Sequence, residues 1–437
     1  DRGYGSEIAT FQEEGVHSLI SGNLMDVCPV GAITTRDYRF KSRPWDNPNA
    51  ADTICTQCEK GCNVTVWIKA KPEWAKGSQL VRVTPRFNPD VNNYWMCDIG
   101  RFNYHWIERE DRIRRPLQRD ANGVSQPVSW HDAVSKVADR LATAGVSAPD
   151  SVRFLLSAHA SHEELFLFRR ITEEWLETSG GRAPRPVNNV RTAIDVAWRY
   201  QPKDQPEGTR FKVPPVDAPN VNGARLLGLA PGKAGDAVRE ADLSALKEAV
   251  GARKVAALYV FDPGPDGSLG PVDWIIDARK RGTLPLLIVQ GVLLTNLARA
   301  ADFVLPGASY VEKEASYTNG QGRLQGTARA IPPPGDAMED WQILVNLGVA
   351  LGVALNYANA AHVRADIAAR FGGSGLEGIT ALTFGQPVPA HHWLQASNPS
   401  ERWKWDFMFQ DLPPVKGAVD PTSLPLPPGA IQLKEVK

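Results

Sequence analysis

All five cysteines of this 437-residue chain lie within its first 97 residues. Four of them follow the spacing Cys55-x2-Cys58-x3-Cys62-x34-Cys97. Three thiolates this close together can each reach a different iron corner of a cubane, and a fourth thiolate from a distant loop closes the site. Gly61 allows the backbone to pass close to such a cluster because it has no Cβ. The spacing therefore predicts a [4Fe–4S] cluster on Cys55, Cys58, Cys62 and Cys97.

Two other uses of these cysteines are less favoured. A structural zinc ion also accepts four thiolates, but zinc sites more often pair two short knuckles with two cysteines each. A disulfide framework would leave one of five thiols unpaired and would need an oxidising compartment. Cysteines confined to one end of the chain indicate metal chemistry in a reducing cytoplasm.

The fifth cysteine, Cys28, stands in the run 26–32, which reads DVCPVGA. A cysteine followed by proline is the usual fourth ligand after the C-x2-C-x2-C run of a bacterial ferredoxin. This chain has no such run upstream, and the alternative is a buried, inert thiol. The sequence context favours ligation. We therefore expect Cys28 to bind a second cluster, completed by three cysteines outside this chain.

Charge and hydropathy exclude some partners. The 49 basic and 49 acidic residues give a formal net charge of zero, which offers no electrostatic argument for nucleic acid or an anionic membrane. No uninterrupted apolar run has membrane-spanning length, so no direct membrane insertion is expected. The sequence begins at Asp1 without the pattern of a secretory signal or a twin-arginine leader. We expect either processing or a longer parent polypeptide.

Strand-like segments that alternate with helix-like segments predict an α/β fold with a mostly parallel sheet, preceded by a small cysteine-rich domain and followed by an extended tail. Four segments are expected. Residues 1–45 are the end of a ferredoxin-like cluster module, 46–115 the [4Fe–4S] domain, 116–352 the α/β domain, and 353–437 a helix and a proline-rich tail.

Apolar runs predict strands at 152–156, 255–261, 284–290 and 302–305. A capping box at Ser161–Glu164 predicts a helix that runs to about residue 177. Further helices are predicted at 236–250 and 272–281.

Three stretches resemble the large iron–sulfur subunit of proton-pumping NADH:quinone oxidoreductase (respiratory complex I), which belongs to the molybdopterin oxidoreductase superfamily. The first comprises Ser21–Ala32 and Phe40–Trp45. The second is the cysteine set that ends in Trp95–Phe102. The third comprises Ala301–Ala308, Glu312, Tyr317–Asn319 and Gly322–Gln325.

The resemblance implies a molybdopterin-oxidoreductase-like α/β domain without a catalytic metal, in a subunit with no independent active site. Such a subunit relays electrons from NADH and flavin toward quinone. Cys28 would lie on that path, and the cluster on the other four cysteines would lie off it and stabilise the fold.

The implied partners are other peripheral-arm subunits, including the one that holds flavin and NADH, on the cytoplasmic side of the bacterial inner membrane. The family normally begins with a [2Fe–2S] domain and a cluster bound by histidine and cysteines. We therefore expect the N-terminal third to be missing, and the C-terminal pterin-dinucleotide domain to be reduced or absent.

The alternative function is a molybdenum or tungsten enzyme such as formate dehydrogenase. That class often takes a cysteine ligand from the α/β region, which has none here, although Ser or Asp could substitute. It also tends to place Lys where this chain has Ile99, and Gln321 stands where relatives commonly have Glu. No molybdopterin is therefore expected.

A third hypothesis is a structural scaffold whose cluster is redox-silent. His159 and His162 follow a predicted strand, where active sites of open α/β sheets lie. An ordinary polar pair that caps the helix or meets solvent is the favoured interpretation. His391 and His392 are expected in a surface loop.

Overall fold

A three-stranded antiparallel sheet forms the cysteine-rich part of the chain. The computed structural model describes residues 15–43, 47, 49–69, 71–75, 77–176 and 193–384. The sheet consists of β1 (Asn49–Ile54), β2 (Asn63–Ile68) and β3 (Leu80–Pro85), in that order. Valines alternate with polar residues along β2, so Val64 and Val66 turn into one core. Around this sheet lie α1 (Asn23–Val27), α2 (Arg36–Arg39), α3 (Asp98–Phe102) and 3-10 turns at Pro72–Ala75 and His105–Glu108.

The second sheet has seven strands. They are β4 (Leu117–Arg119), β5 (Ser125–Pro127), β6 (Val152–Ser157), β7 (Ile194–Ala197), β8 (Ala257–Asp262), β9 (Leu286–Gly291) and β10 (Phe303–Pro306). Their spatial order is β5-β4-β10-β9-β8-β6-β7. The last five in this order are parallel, and β4 and β5 extend the edge in antiparallel fashion. The chain leaves β6 for β7 on one side and returns to β8 on the other. The switch point, where open α/β sheets bind ligands, therefore lies between β6 and β8.

Helices cover both faces of this sheet. One face packs against α4 (Trp130–Ser147), α5 (His162–Ile171), α6 (Val221–Leu226), α10 (Asp340–Ala350) and α11 (Ala360–Phe371). The other packs against α7 (Ser244–Gly251), α8 (Asp273–Lys280) and α9 (Asn296–Ala300). Along β6, Phe154 and Leu156 enter the first core and Leu155 enters the second. Burial on both faces explains why the parallel strands are continuous apolar runs.

A two-stranded hairpin, β11 (Ala315–Thr318) and β12 (Leu324–Thr327), follows the large sheet. Shorter elements are 3-10 turns at Pro149–Ser151 and Glu377–Ala381 and a π-helical turn at Thr172–Leu176. None of the described helices combines the length and apolarity needed to cross a lipid bilayer.

The strands predicted from apolar runs are confirmed as β6, β8, β9 and β10, and the predicted capping box at Ser161 begins α5. The helix predicted at 236–250 is wrong in its first half, because α7 begins only at Ser244. Trp198 Nε1 donates to the Arg239 carbonyl at 2.8 Å, and Asp242 accepts from the Ser244 N–H at 3.0 Å. These bonds hold residues 239–243 in a loop. The predicted boundary near residue 352 stays a prediction, and α11 packs into the first core.

A buried ion network joins the hairpin to the large sheet. Lys313, two residues before β11, is 2% exposed and contacts the carboxylates of Glu164 in α5 and Asp340 in α10, the latter at 2.8 Å. Gln290 in β9 also donates to Asp340, at 2.8 Å. Removing one partner from such a network leaves unpaired buried charge, which is far costlier than losing a surface pair.

We therefore expect Lys313→Met to lower the free energy of unfolding by about 3–5 kcal/mol, because two buried carboxylates lose their cation. The control is Arg323→Met, which removes an exposed pair with Asp90 at 3.0 Å and should lower it by less than about 1 kcal/mol. Urea unfolding followed by circular dichroism measures both. Equal effects would contradict this interpretation of the network.

Candidate metal centre

The four clustered cysteines lie on two segments of the small sheet domain. Cys55 follows β1 and Cys62 precedes β2, and the loop between them is closed by a hydrogen bond from the Cys55 N–H to the Cys62 carbonyl at 2.8 Å. Cys97 is the N-cap of α3, and its Sγ accepts a hydrogen bond from the Gly100 N–H at 3.3 Å. All four, including Cys58, are between 4% and 6% exposed.

Burial disfavours the thiolate form of all four cysteines. It raises the pKa of Cys55 to about 12, and the nearby Cys97 adds to this effect. The pKa values of Cys58 and Cys62 are raised well above their ordinary range, first by burial and then by the other cysteines. Thiolates gathered in an apolar core need cations to balance their charge. Four thiols of this kind are the donor set that an iron–sulfur cluster or a zinc ion accepts.

The loop is held from the α/β domain. Asn319 Nδ2 donates to the Lys60 carbonyl at 3.1 Å, and Gln325 Nε2 donates to the Gly61 carbonyl at 3.0 Å. The Gly320 N–H donates to the Glu59 carbonyl at 2.6 Å. Gly61 has φ +65°, and a Cβ there would collide with Gln325 Oε1. The hairpin residues were noted in the sequence only as part of the family resemblance. Nothing in the neighbouring sequence indicates that they contact the cysteine loop.

The residues around the cysteines fit an iron–sulfur cluster. A Cβ on Gly100 would lie 3.0 Å from Cys55 Sγ and 3.7 Å from Cys97 Sγ. Gln57 Nε2 and Trp106 Nε1 are buried donors that have no acceptor in the described part of the chain, and cluster sulfides are acceptors. Among the described residues, no three His, Cys, Asp or Glu side chains are arranged to hold a single metal ion. A cubane binds one thiolate per corner, so its ligands need not meet that arrangement.

Cys28 lies apart from these four, at the C-cap of α1, and is partly exposed. The backbone N–H of Ile33, and more weakly those of residues 30–32, hydrogen-bond its sulfur and hold the pKa of the thiol below its ordinary value. Val30 and Phe40 are 81% and 73% exposed, and Val27 is 48% exposed. Several apolar side chains close to Cys28 in the sequence are therefore exposed to solvent.

The Cys28 segment is anchored to the segment that carries Cys97. Asn23 Nδ2 donates to the Met96 carbonyl at 2.8 Å, and the Gly22 N–H donates to Asp98 at 2.8 Å. Arg101, which is 2% exposed, contacts Asp26 at 2.5 Å. Spacing rules missed this anchor, although its residues lie inside the stretches that carry the family resemblance.

Residues 238–350 match the model of the molybdopterin oxidoreductase family, and residues 1–34 match that of the ferredoxin-like domain of NADH-quinone oxidoreductase subunit 3. The chain is 25% identical over 454 residues to NADH dehydrogenase (ubiquinone) iron-sulfur protein 1, mitochondrial, of Solanum tuberosum. It is 24% identical over 460 residues to the NADH-ubiquinone oxidoreductase 78 kDa subunit, mitochondrial, of Neurospora crassa. These alignments cover 84% and 83% of this chain.

The chain is a homologue of the large iron–sulfur subunit of NADH:quinone oxidoreductase. It spans 60% and 59% of the length of those two relatives. It is also 34% identical over 179 residues to an NADH-quinone oxidoreductase subunit of Rhizobium meliloti, which covers 41% of this chain and 20% of that protein. Among solved structures, acetylene hydratase from Pelobacter acetylenicus has a TM-score of 0.43 at 12% identity, covering 78% of this chain and 75% of that one.

In this homologue the switch-point crevice between β6 and β8 is filled by side chains. His159 and Ser268 are 4% and 2% exposed, and a Cβ on Gly264 would lie 2.7 Å from His159 Cγ. Burial lowers the pKa of His159 to about 3 and raises that of Asp262, which accepts from the Ser268 hydroxyl, to about 7. At pH 7 His159 is therefore neutral and Asp262 is partly protonated.

The histidines are not the solvated or capping pair that the sequence suggested. His162 is 0% exposed, and its two ring nitrogens contact Ser316 Oγ at 3.0 Å and Thr318 Oγ1 at 2.9 Å. Burial lowers its pKa to about 4. His162 thus belongs to the core that supports β11, and His159 fills the switch-point crevice. His391 and His392 lie outside the described residues.

We expect Gly61→Ala to lower the iron and sulfide content per chain by at least half, because the new Cβ collides with Gln325 and opens the ligand loop. The matched control is Gly322→Ala, which also has positive φ (+78°) but has no atom within 4 Å of an added Cβ. Both variants carry backbone strain of about 1–2 kcal/mol. Equal iron content in the two variants would show that the contact has no effect on the site.

Stability should depend on the protonation of Asp262. Its folded-state pKa of about 7 exceeds its ordinary value, so its contribution to stability is present at acid pH and is lost as pH rises through 7. Asp262→Asn keeps the acceptor and removes the charge. From pH 5 to pH 8 the free energy of unfolding should fall in wild type by about 2–4 kcal/mol more than in Asp262→Asn. Urea unfolding at both pH values measures this, with the exposed Asp139→Asn as control. Parallel pH profiles for wild type and Asp262→Asn would contradict it.

Proposed function

We propose that this chain is an electron-transfer subunit of an NADH:quinone oxidoreductase and that it holds one complete [4Fe–4S] cluster on Cys55, Cys58, Cys62 and Cys97. The observation that carries the proposal is that Cys55, Cys62 and Cys97 share one buried core, with the buried Cys58 close enough to interact electrostatically with all three. The homology to iron–sulfur subunits supports it. The homologues named as subunits of NADH-quinone oxidoreductase also favour this function over that of a formate dehydrogenase.

The chain's own residues prepare the site in three ways. The apolar core that contains Val64, Met96 and Ile107 excludes water from the thiols. The hairpin bonds from Asn319 and Gln325 fix the loop that carries three of them. When bound, a [4Fe–4S] cluster supplies one-electron transfer at a potential set by burial and by hydrogen bonds to sulfur.

Cys28 is proposed as one ligand of a second [4Fe–4S] cluster, whose three other cysteines lie outside this chain. The backbone N–H groups around its sulfur favour the thiolate that a metal needs. Exposed apolar side chains near it in the sequence, at Leu24, Val27, Val30 and Phe40, would be covered by the segment that carries those cysteines. The match of residues 1–34 to a ferredoxin-like domain supports this assignment.

The proposed partners are subunits of the peripheral arm, including the one that holds flavin and NADH, on the cytoplasmic side of a bacterial inner membrane. No molybdopterin is proposed. The α/β region offers no cysteine to a metal, Ile99 stands where a lysine would pass electrons to a pterin, and the switch-point crevice is filled by His159 and Ser268.

The test is low-temperature EPR with redox titration and metal analysis on the anaerobically purified complex that contains this chain. Wild type is compared with Cys97→Ser and Cys28→Ser. We expect each variant to lose a different [4Fe–4S] signal, because each serine removes one ligand of one site. The two variants thus serve as controls for one another.

Three results would contradict the proposal. Zinc without iron would exclude the cluster. Stoichiometric molybdenum or tungsten would favour the dehydrogenase alternative. An unchanged set of EPR signals in Cys28→Ser would exclude a second cluster at Cys28 but would not contradict the cluster on the other four cysteines.

A further inference from the structure

Gln57 stands in the ligand loop between Cys55 and Cys58 and is 5% exposed. Its Oε1 accepts a hydrogen bond from Asn103 Nδ2 at 3.0 Å. Its Nε2 is buried and has no acceptor among the described residues. A buried donor without an acceptor costs about 1–3 kcal/mol. An acceptor therefore belongs beside this amino group.

The bond to Asn103 determines which end of the carboxamide is available. Asn103 is the C-cap of α3, the helix that begins after Cys97, and its N–H donates to the Ile99 carbonyl at 2.9 Å. The Gln57–Asn103 bond thus joins the two segments that carry the four cysteines. It occupies the oxygen of Gln57 and leaves the amino group directed elsewhere within the buried loop.

We propose that Gln57 Nε2 donates a hydrogen bond to a sulfur of the cluster on Cys55, Cys58, Cys62 and Cys97, and so raises the reduction potential of that cluster. This inference rests on the proposed function. Reduction adds one negative charge to the cluster, and a fixed N–H donor stabilises the more negative form. Asn103 acts through Gln57 as a positioning residue.

The neighbouring donors support this role. Cys97 Sγ already accepts from the Gly100 N–H at 3.3 Å, and the backbone N–H groups of Gln57 and Lys60 are directed at the sulfurs of Cys55 and Cys58. The loop thus turns N–H groups toward its sulfurs. The side chain of Gln57 adds a donor that the backbone does not provide.

The experiment is an EPR-monitored redox titration of the intact complex, with iron and sulfide content measured on the same samples. Gln57→Leu should give a more negative midpoint potential at unchanged iron content. Asn103→Ala should shift the midpoint in the same direction by a smaller amount, because Gln57 remains but is no longer oriented. The double variant should match Gln57→Leu alone. The control is Gln118→Leu, which removes an amide in β4 of the α/β domain. The amide oxygen of Gln118 accepts an exposed hydrogen bond from Lys136 Nζ at 2.9 Å. This variant should therefore leave the midpoint potential unchanged.

An unchanged midpoint in Gln57→Leu, with full iron content, would overturn this inference and leave the proposed function intact. A shift to more positive values would mean that the amide oxygen faces the cluster, which would also overturn it. If Gln57→Leu fails to assemble the cluster, Gln57→Glu and Asn103→Ala decide the question by the same midpoint measurement. A wild-type chain without iron would instead refute the proposed function.

Discussion

The geometry of the cysteine site depends on a loop whose backbone carbonyls are bonded by a distant hairpin. The carbonyls of Lys60 and Gly61 accept from Asn319 and Gln325, residues more than 250 positions later in the chain. A loop with three cysteines would otherwise have many conformations, and ordering each residue costs about 1–2 kcal/mol. The α/β domain supplies that order. The site and the α/β domain are therefore one structural unit, although all the cysteines precede residue 98.

A second constraint connects the complete site to Cys28. Asp98 follows Cys97 directly and accepts from Ser21 Oγ at 2.5 Å and from the Gly22 N–H at 2.8 Å. The ion pair between the buried Arg101 and the partly buried Asp26 adds a charged contact between the same two segments. Loss of Asp26 would leave the buried guanidinium of Arg101 without its carboxylate partner. The short helix before Cys28 is thus held in a fixed position relative to Cys97.

Local features of the sequence were predictable and distant contacts were not. The parallel strands were found from their apolar runs because they are buried on both faces, and Ser161 was found because its capping box is complete within four residues. The clustering of the cysteines followed from their spacing. His162 was misjudged because its partners, Ser316 and Thr318, lie more than 150 residues away. Gln325 gave no local sign that it holds Gly61, since its only signal was membership of a family pattern.

The buried ion network extends the support of the cysteine loop into the centre of the large sheet. Lys313 binds Glu164 and Asp340, and β11 begins two residues later. The strand leads directly to Asn319, which bonds the ligand loop. A displacement of Lys313 would therefore move the donor that fixes the loop. The switch-point crevice, where this type of sheet usually binds a ligand, is closed by the domain's own side chains. In this chain the β11–β12 hairpin therefore connects the ion network of the α/β domain to the loop that carries three of the cysteines.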